Sequence, residues 1–125
     1  MILPSTVILT MDNSGARRVR CIKVYKKPGR KYAQTGDLIQ IIVVKLRNRG
    51  FIRVKKGELH TAVVSRISSS VFRKNKGYFL KFDENSVIIL SKKKMPIGTR
   101  FFGPCAKEIR SHKFVKLISI STRLI

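Results

Sequence analysis

Short runs of β-branched residues, each ended by Gly, Pro or Asn, dominate this 125-residue sequence. Such runs are typical of β-strands, and we predict five of them, at 6–11, 18–25, 37–46, 60–67 and 86–90. In the second run the alternation of inward and outward positions changes phase, so that Ile22 and Val24 lie opposite Lys23. One extra residue near Cys21 produces that change, which predicts a β-bulge and a strong bend. The third run is the most apolar, and we expect cover on both of its faces.

Residues 71–82 are predicted to form a hairpin around Asn75, Lys76 and Gly77, because Asn and Gly tolerate the positive φ of a tight turn. Five curved strands with a bulge favour closure, since a closed barrel has no exposed edges. We therefore predict a mainly β fold: a five-stranded closed β-barrel of the OB or SH3 type with a β-hairpin extension.

The hydrophobic pattern becomes helical near the C-terminus. Pro104 is compatible with a first helical turn, and Ser111 with the N-cap of a second segment, in which helical spacing relates Phe114, Leu117 and Ile118. These features predict one or two short C-terminal α-helices lying on the barrel, followed by a tail at 122–125.

The length of the chain favours one domain over 1–125, with the barrel over about 1–102 and the helical extension over about 103–125. The longest apolar run, Ile41 to Val44, is far shorter than the roughly 20 residues of a membrane span, so no membrane partner is predicted. The first four residues show none of the features of a leader peptide. We expect either a protein that acts where it is made or one whose leader has been removed.

The charge is strongly positive, with 28 Lys and Arg against 6 Asp and Glu, a formal net charge of +22. Because 43% of the residues are hydrophobic, this charge lies on a packed core rather than on a disordered tail. A small body with this charge repels itself unless a polyanion neutralises it, and nucleic acid is the strongest candidate.

The basic residues concentrate in four predicted loops. One such cluster is usually a solvated turn, but four clusters with almost no acid between them indicate phosphate binding. Lys supplies a mobile point charge and Arg a two-pronged donor. The loop residues predicted to bind RNA are Lys26, Lys27, Arg30, Lys31, Arg47, Arg49, Arg53, Lys55, Lys56, Arg73, Lys74, Lys92, Lys93 and Lys94.

Five aromatic residues lie next to or inside these loops: Tyr25, Tyr32, Phe51, Phe72 and Tyr78. RNA bases could stack on them. Anchoring of the core or of a loop is the more common role for each, and double-helical RNA bound through its backbone needs little stacking.

Catalysis is not indicated. The six Asp and Glu residues form no spaced pair suited to general acid–base catalysis. His112 has no carboxylate near it in sequence to orient it, so we expect a structural or RNA-facing role. The turn Asn13–Gly15 is too short for a nucleotide-binding loop, and there we expect Asp12 or Asn13 to bond local amides. The sequence predicts no enzyme activity and no small-molecule substrate.

The two cysteines, Cys21 and Cys105, stand far apart with only His60 and His112 as further ligand types, so metal-ligand spacing is absent. We expect two buried, inert thiols and neither a metal nor a cofactor. A disulfide is the alternative if the fold brings the two residues together.

Three motifs, DNSGARRVRCIKV at 12–24, VKKGE at 54–58 and PIGTRFFGP at 96–104, closely resemble the ribosomal protein L-fourteen family of the large subunit, in its bacterial and organellar form. The similarity runs from about residue 6 to residue 121. It implies a five-stranded barrel with a small C-terminal helical extension, no catalysis, and a place on the subunit-joining face of the large subunit.

The resemblance also implies partners. These are large-subunit rRNA, small-subunit rRNA through an intersubunit bridge, neighbouring ribosomal proteins of the L-nineteen and L-three types, and the ribosome silencing factor. The resemblance implies that Arg17 and Arg18 contact RNA. Three strand residues complete the set predicted to bind RNA: Arg20, Lys23 and Arg66.

A protein-partner surface is implied as well. The resemblance assigns it to Thr99, Arg100, Lys113 and Lys116, with a shape set by Gly98, Gly103 and Pro104.

Composition bears on the compartment, since the chain has 15 Ile and 16 Lys but only 4 Ala, a bias typical of AT-rich genomes. We expect a mitochondrial ribosomal protein, with plastid and bacterial cytoplasm as alternatives. Two other functions stay open. A free-standing OB-type single-strand RNA-binding protein or translation factor needs an open aromatic groove, and a membrane-active protein needs a longer basic amphipathic helix than the one near Phe114.

Overall fold

The structure is a computed structural model that describes residues 1–25, 28–112 and 114–125, without the side chains of 111 and 112. Its strands are β1 (Val7–Thr10), β2 (Ala16–Val24), β3 (Leu38–Leu46), β4 (Leu59–Arg66), β5 (Val71–Arg73), β6 (Tyr78–Leu80) and β7 (Ser86–Leu90). The five predicted barrel strands are confirmed with bounds that shift by at most two residues, and β5 and β6 confirm the hairpin.

The strands β1, β2, β3, β4 and β7 form a closed barrel, which confirms the predicted fold class. Neighbouring strands are antiparallel except β1 and β7, which run parallel and place Leu9 opposite Ser86. In β3, alternate residues from Ile39 to Val43 are fully buried, whereas the residues between them are half-buried. This strand is therefore completely covered only on its inner face, not on both faces as predicted.

The predicted bulge in β2 is present. The pairing of β2 with β3 shifts register between Cys21 and Lys23. Cys21 and Val24 are buried, but the prediction that Ile22 lies opposite Lys23 is wrong, because both of these residues are exposed. Because of the extra residue at the bulge, the side chain of Val24 points into the core again after the bend.

Two hydrophobic clusters meet at β7, which is buried along its whole length. Val87 and Ile89 face the cluster inside the barrel, whereas Ile88 and Leu90 face a second cluster outside it. That second cluster includes Ile109 and Leu117, so the C-terminal segment covers the outer face of β7. Each cluster holds one cysteine, and both thiols are free and buried, as predicted; there is no disulfide.

The C-terminal segment contains a 3₁₀ helix, Lys107–His112, and α1, Val115–Ile120. The helical spacing of its apolar residues is confirmed, because Leu117 is buried and Phe114 and Ile118 are half-buried. No helix in the described parts of the chain is long and apolar enough to cross a membrane.

Two predictions for this segment are wrong. Pro104 does not begin a helix, because the next residue is extended: the amide of Cys105 donates to the carbonyl of Arg123 at 2.9 Å, and the amide of Ile125 donates to the carbonyl of Cys105 at 2.8 Å. Ser111 is not the N-cap of α1, since the 3₁₀ helix runs through it and Phe114 occupies the cap without a side-chain hydrogen bond. The predicted tail at 122–125 is thus paired with the segment before the 3₁₀ helix.

Candidate nucleic-acid interface

Most of the predicted RNA-binding cations reach solvent. Arg47, Arg66 and Arg73 are half-buried, Lys26 and Lys27 lie outside the described residues, and the exposed members are Arg17, Arg18, Arg20, Lys23, Arg30, Lys31, Arg49, Arg53, Lys55, Lys56, Lys74, Lys92, Lys93 and Lys94. Between described residues there are two ion pairs, Arg73 with Glu108 at 2.8 Å and His60 with Glu58 at 3.2 Å. Ion pairs among the described residues therefore offset little of the net charge of +22.

The outer face of β2 carries four of these cations. Ala16, Val19, Cys21 and Val24 point into the barrel, which leaves Arg17, Arg18, Arg20 and Lys23 outside. The strand register places Arg18 between Leu9 of β1 and Lys45 of β3. A basic strip thus runs along the wall of the barrel.

The four basic loops do not form one surface. Since β3 is antiparallel to both β2 and β4, the loops 25–37 and 47–58 leave it at opposite ends. Within the second loop, Arg53 donates to the carbonyl of Ile97 at 2.8 Å, which ties that loop to the segment after β7. The charge is thus spread over several faces of the molecule.

One cleft of about 710 Å³ concentrates arginine. We call it the arginine cleft, and the lining residues that matter here are Arg17, Arg47, Arg49, Arg66, Glu84 and Phe102. The lining contains four arginines and one glutamate, so its net charge favours an anion.

Two of the four arginines are anchored. Arg47 donates from Nε to the carbonyl of Ala16 and from Nη2 to that of Thr10, each at 3.4 Å, and its guanidinium carbon lies 4.9 Å from the centre of the Phe102 ring. Arg66 donates from Nη2 to the carbonyl of Phe102 at 2.6 Å. These contacts fix the far wall of the cleft and hold Phe102 in place.

Arg73 is used inside the protein. Its Nε and Nη2 donate to the two carboxylate oxygens of Glu108 at 2.9 and 2.8 Å, and Nη2 also donates to the carbonyl of Ile125 at 2.6 Å. Its Nη1 donates to the hydroxyl of Tyr78 at 3.1 Å. The hydrogen bonds to Glu108 raise the pKa of Arg73. This predicted RNA contact instead joins the hairpin to the C-terminal segment.

Asp12 is fully buried and connects its turn to β7. One carboxylate oxygen accepts from the hydroxyl of Ser14 at 2.6 Å, and the other accepts from the amide of Ile89 at 3.0 Å. Burial raises the pKa of Asp12, against the lowering effect of these hydrogen bonds and of the Arg47 charge. The amide of Ser14 also donates to Oδ1 of Asp12, at 3.4 Å, which confirms the predicted bond to a local amide, while the bond to Ile89 is a long-range contact that was not foreseen.

Asn13 holds the segment that carries Thr99 and Arg100. Its Oδ1 accepts from the amides of Thr99 and Arg100 at 2.7 and 3.1 Å, and its Nδ2 donates to the Thr99 hydroxyl at 3.0 Å. A Cβ on Gly98 would lie 2.8 Å from the Cβ of Asp12, so only glycine allows this approach. The predicted shaping role of Gly98 therefore has a steric basis.

A comparison with models of protein families matches ribosomal protein L14p/L23e over residues 1–125, the whole chain. The chain belongs to the ribosomal protein L14p/L23e family. It is accordingly a structural protein of the large ribosomal subunit, and its family is structural rather than enzymatic. Membership in this ribosomal family implies ribosomal RNA and ribosomal proteins as partners and the ribosome as location.

The residues predicted to form a protein-partner surface lie in two separate parts of the structure. Thr99 and Arg100 are exposed beside Asn13, and Lys113 lies outside the described residues. Lys116 is exposed on α1, where it lines a mainly apolar groove of about 520 Å³ with Tyr25 and Phe114. No contact between described residues joins Lys116 to Thr99 or Arg100, so the two parts depend on separate elements.

Phe102 is the exposed aromatic residue of the arginine cleft that sequence reasoning missed. Of the aromatic residues named from the sequence, Tyr25, Phe51, Phe72 and Tyr78 are exposed and Tyr32 is half-buried. Phe102 is 45% exposed in the arginine cleft, next to the buried Phe101. The adjacent pair Phe101 and Phe102 was the sequence signal that one of these rings is exposed, because in an extended segment two successive side chains point to opposite faces.

Proposed function

We propose that this chain binds large-subunit rRNA as a permanent component of the subunit, through exposed cations on β2 and on the basic loops. One observation carries the proposal: a ribosomal protein with a net charge of +22 pairs only one described arginine with an acid. The remaining arginines and lysines need phosphate to offset their repulsion. Residues 1–125 act as one domain in this role.

The mechanism is charge neutralisation by a rigid frame. The barrel fixes Arg17, Arg18 and Arg20 on one wall, and each phosphate that they neutralise releases condensed counterions. The shape of the folded RNA provides specificity, because backbone contacts do not read base sequence.

The protein partners are assigned by family resemblance. Thr99 and Arg100, with Lys113 and Lys116, receive the ribosome silencing factor and neighbours of the L-nineteen and L-three types. The same face of the subunit contributes a bridge to small-subunit rRNA. The Ile- and Lys-rich composition supports a mitochondrial ribosome as the location.

Sucrose-gradient fractionation of the source organelle at low and high salt tests permanent membership of the subunit. We expect the chain to sediment with the large subunit, in equal copy number with the other subunit proteins, and to stay there in high salt. Recovery mainly at the top of the gradient would show a loosely held RNA binder instead.

Charge reversal tests the RNA contacts. Arg17→Glu or Arg18→Glu is expected to block incorporation into the subunit while the purified variant keeps its melting temperature, because both side chains are exposed. Lys107→Glu is the matched control, since it makes the same change in net charge at an exposed residue outside the proposed set. Normal assembly of the Arg18→Glu variant would refute the assignment.

Replacement of Arg100 tests the protein-partner surface. Arg100→Ala should weaken retention of the silencing factor in a pull-down more than it weakens incorporation into the subunit. Equal loss of both activities would contradict a separate protein surface.

A further inference from the structure

We propose that the arginine cleft receives a single unpaired nucleotide of rRNA, with its base stacked against the Arg47 and Phe102 pair and its phosphate bound by Arg17 and Arg49. This inference rests on the proposed RNA binding and adds to it a defined subsite with a defined kind of RNA element.

The shape of the cleft favours an unpaired nucleotide over a duplex. The cleft is wide open to solvent, and its volume of about 710 Å³ leaves room for one nucleotide. The phosphates of a double helix lie on a convex surface, and they are bound by arginines on an open wall such as that of β2. A nucleotide that leaves the helix can enter a concave site beside such a wall.

The chemistry of the lining separates into two parts. Arg17 and Arg49 are exposed and form no hydrogen bond or ion pair with other described residues, so their guanidinium groups are free for phosphate oxygens. Arg47 and Arg66 are instead held by the carbonyl groups of the protein. Two arginines without protein partners and two that are held by carbonyl groups match a ligand with an anionic part and a planar part.

The planar part has a prepared surface. Phe102 is 45% exposed although its backbone carbonyl is fixed by Arg66, and the Arg47 guanidinium lies 4.9 Å from its ring centre. Phosphate binding alone gives no reason for a half-exposed aromatic ring at this place. Bases stack on aromatic rings and on guanidinium planes, and such stacking does not depend on base identity.

Phe51 offers a matched control because it is also exposed beside an arginine. Its ring centre lies 6.0 Å from the guanidinium carbon of Arg53, and it is 82% exposed in the loop between β3 and β4. Phe51 does not line the arginine cleft. A difference in RNA binding between the Phe102 and Phe51 variants therefore reports on the cleft and not on the loss of an exposed aromatic side chain.

The test compares two fluorescent RNAs, a short perfect duplex and the same duplex with one bulged nucleotide. Fluorescence anisotropy across a salt series measures their binding to the full-length protein and to its Phe102→Leu, Phe102→Ala and Phe51→Leu variants. We expect the wild type to bind the bulged RNA about tenfold more tightly than the perfect duplex, which is the gain in affinity expected from one stacked base. Both Phe102 variants should lose this preference and keep their affinity for the duplex, whereas Phe51→Leu should keep the preference.

The outcomes separate the two proposals. Equal binding of both RNAs by the wild type, or a preference that survives in Phe102→Leu, would overturn the nucleotide subsite and leave RNA binding intact. Failure of the wild type to bind either RNA would contradict the proposed function itself. Since Phe102→Leu keeps an apolar side chain, an unchanged melting temperature for this variant assigns any loss to stacking and not to folding.

Discussion

The turn end of the β5–β6 hairpin and the arginine cleft both place an arginine beside an aromatic ring, with opposite results. At the hairpin, Arg73 lies beside the ring of Tyr78, and its guanidinium donates to both carboxylate oxygens of Glu108. The side chain of Arg73 is only 11% exposed. In the cleft, Arg47 lies beside Phe102 with no carboxylate paired to it. Glu108 thus makes Arg73 structural, whereas the side chains of Arg17 and Arg49 in the cleft form no hydrogen bond or ion pair with other described residues.

This contrast has particular weight in a chain with 6 acids and 28 basic residues. Where acids are scarce, the position of each acid decides which cations are available. Counting arginines in loops cannot make that distinction, because Glu108 reaches Arg73 from 35 positions away in the sequence.

Removal of the Arg73 side chain should give the largest effect on stability. Arg73→Ala leaves the half-buried Glu108 without its bidentate partner and frees the carbonyl of Ile125. We expect the free energy of unfolding to fall by about 3 kcal/mol in urea denaturation. Lys74→Ala, at the exposed neighbouring position, should change it by less than about 0.5 kcal/mol. Equal effects of the two substitutions would remove the distinction between structural and free cations.

Removal of the Asp12 carboxylate should give the second-largest loss in the free energy of unfolding, because Asp12 holds β7 as Glu108 holds the hairpin. Asp12→Ala leaves the buried amide of Ile89 without an acceptor, at a cost of about 2 kcal/mol in the free energy of unfolding. Asp12→Asn keeps one carbonyl oxygen for that amide and should cost less. A larger loss in Asp12→Asn than in Asp12→Ala would show that the hydrogen bond to Ile89 contributes little.

The charge of Asp12 has a pH signature of its own. Because burial raises its pKa, the folded chain binds more protons than the unfolded chain between the ordinary and the raised value, and the free energy of unfolding falls as pH rises through that window. The stability advantage of the wild type over Asp12→Asn should therefore shrink with rising pH there, as urea denaturation at several pH values would measure. An advantage that grows with pH would contradict a raised pKa.

Asn13 should affect local order more than global stability, because its contacts are exposed. Asn13→Ala is expected to cost about 1 kcal/mol of stability and to speed hydrogen exchange at the amides of Thr99 and Arg100, which lose their acceptor. Asn13→Asp keeps the acceptor and should preserve the protection. Unchanged exchange in Asn13→Ala would show that the segment is held by other contacts.

The free cations of the cleft should show the smallest stability effect. The double substitution of Arg17 and Arg49 by Ala is expected to change the free energy of unfolding by less than about 0.5 kcal/mol, because both side chains are exposed. It should lower the slope of log affinity against log salt for a short RNA by about one, because both arginines bind the phosphate of the same nucleotide. Arg73→Ala should leave this slope unchanged, and an equal fall in both variants would erase the contrast between the two regions.

The barrel could be predicted because its signals are local. The alternation within β2, its phase change at Cys21 and the turn at Asn75 to Gly77 each depend on residues a few positions apart. Such patterns fix strand bounds and the bulge before any tertiary contact is known.

The C-terminal segment and the details of the site could not be predicted in the same way. Cys105 is extended because it pairs with the segment around Leu124, a contact that overrides the helical tendency of the sequence after Pro104. The roles of Arg73 and Asn13 likewise depend on partners that only the closed fold brings near. Sequence reasoning located the basic residues but not their partners.

Closure of the barrel joins distant parts of the chain, and this sets an order of events during synthesis. The pairing of β1 with β7, the Asp12 to Ile89 bond across 77 positions and the Asn13 to Arg100 bond across 87 positions all need the last third of the chain. Contacts of this separation form late because a long loop must close first. A growing chain thus carries its arginine-bearing strand in an open sheet until residues 86–100 have left the ribosome that makes it.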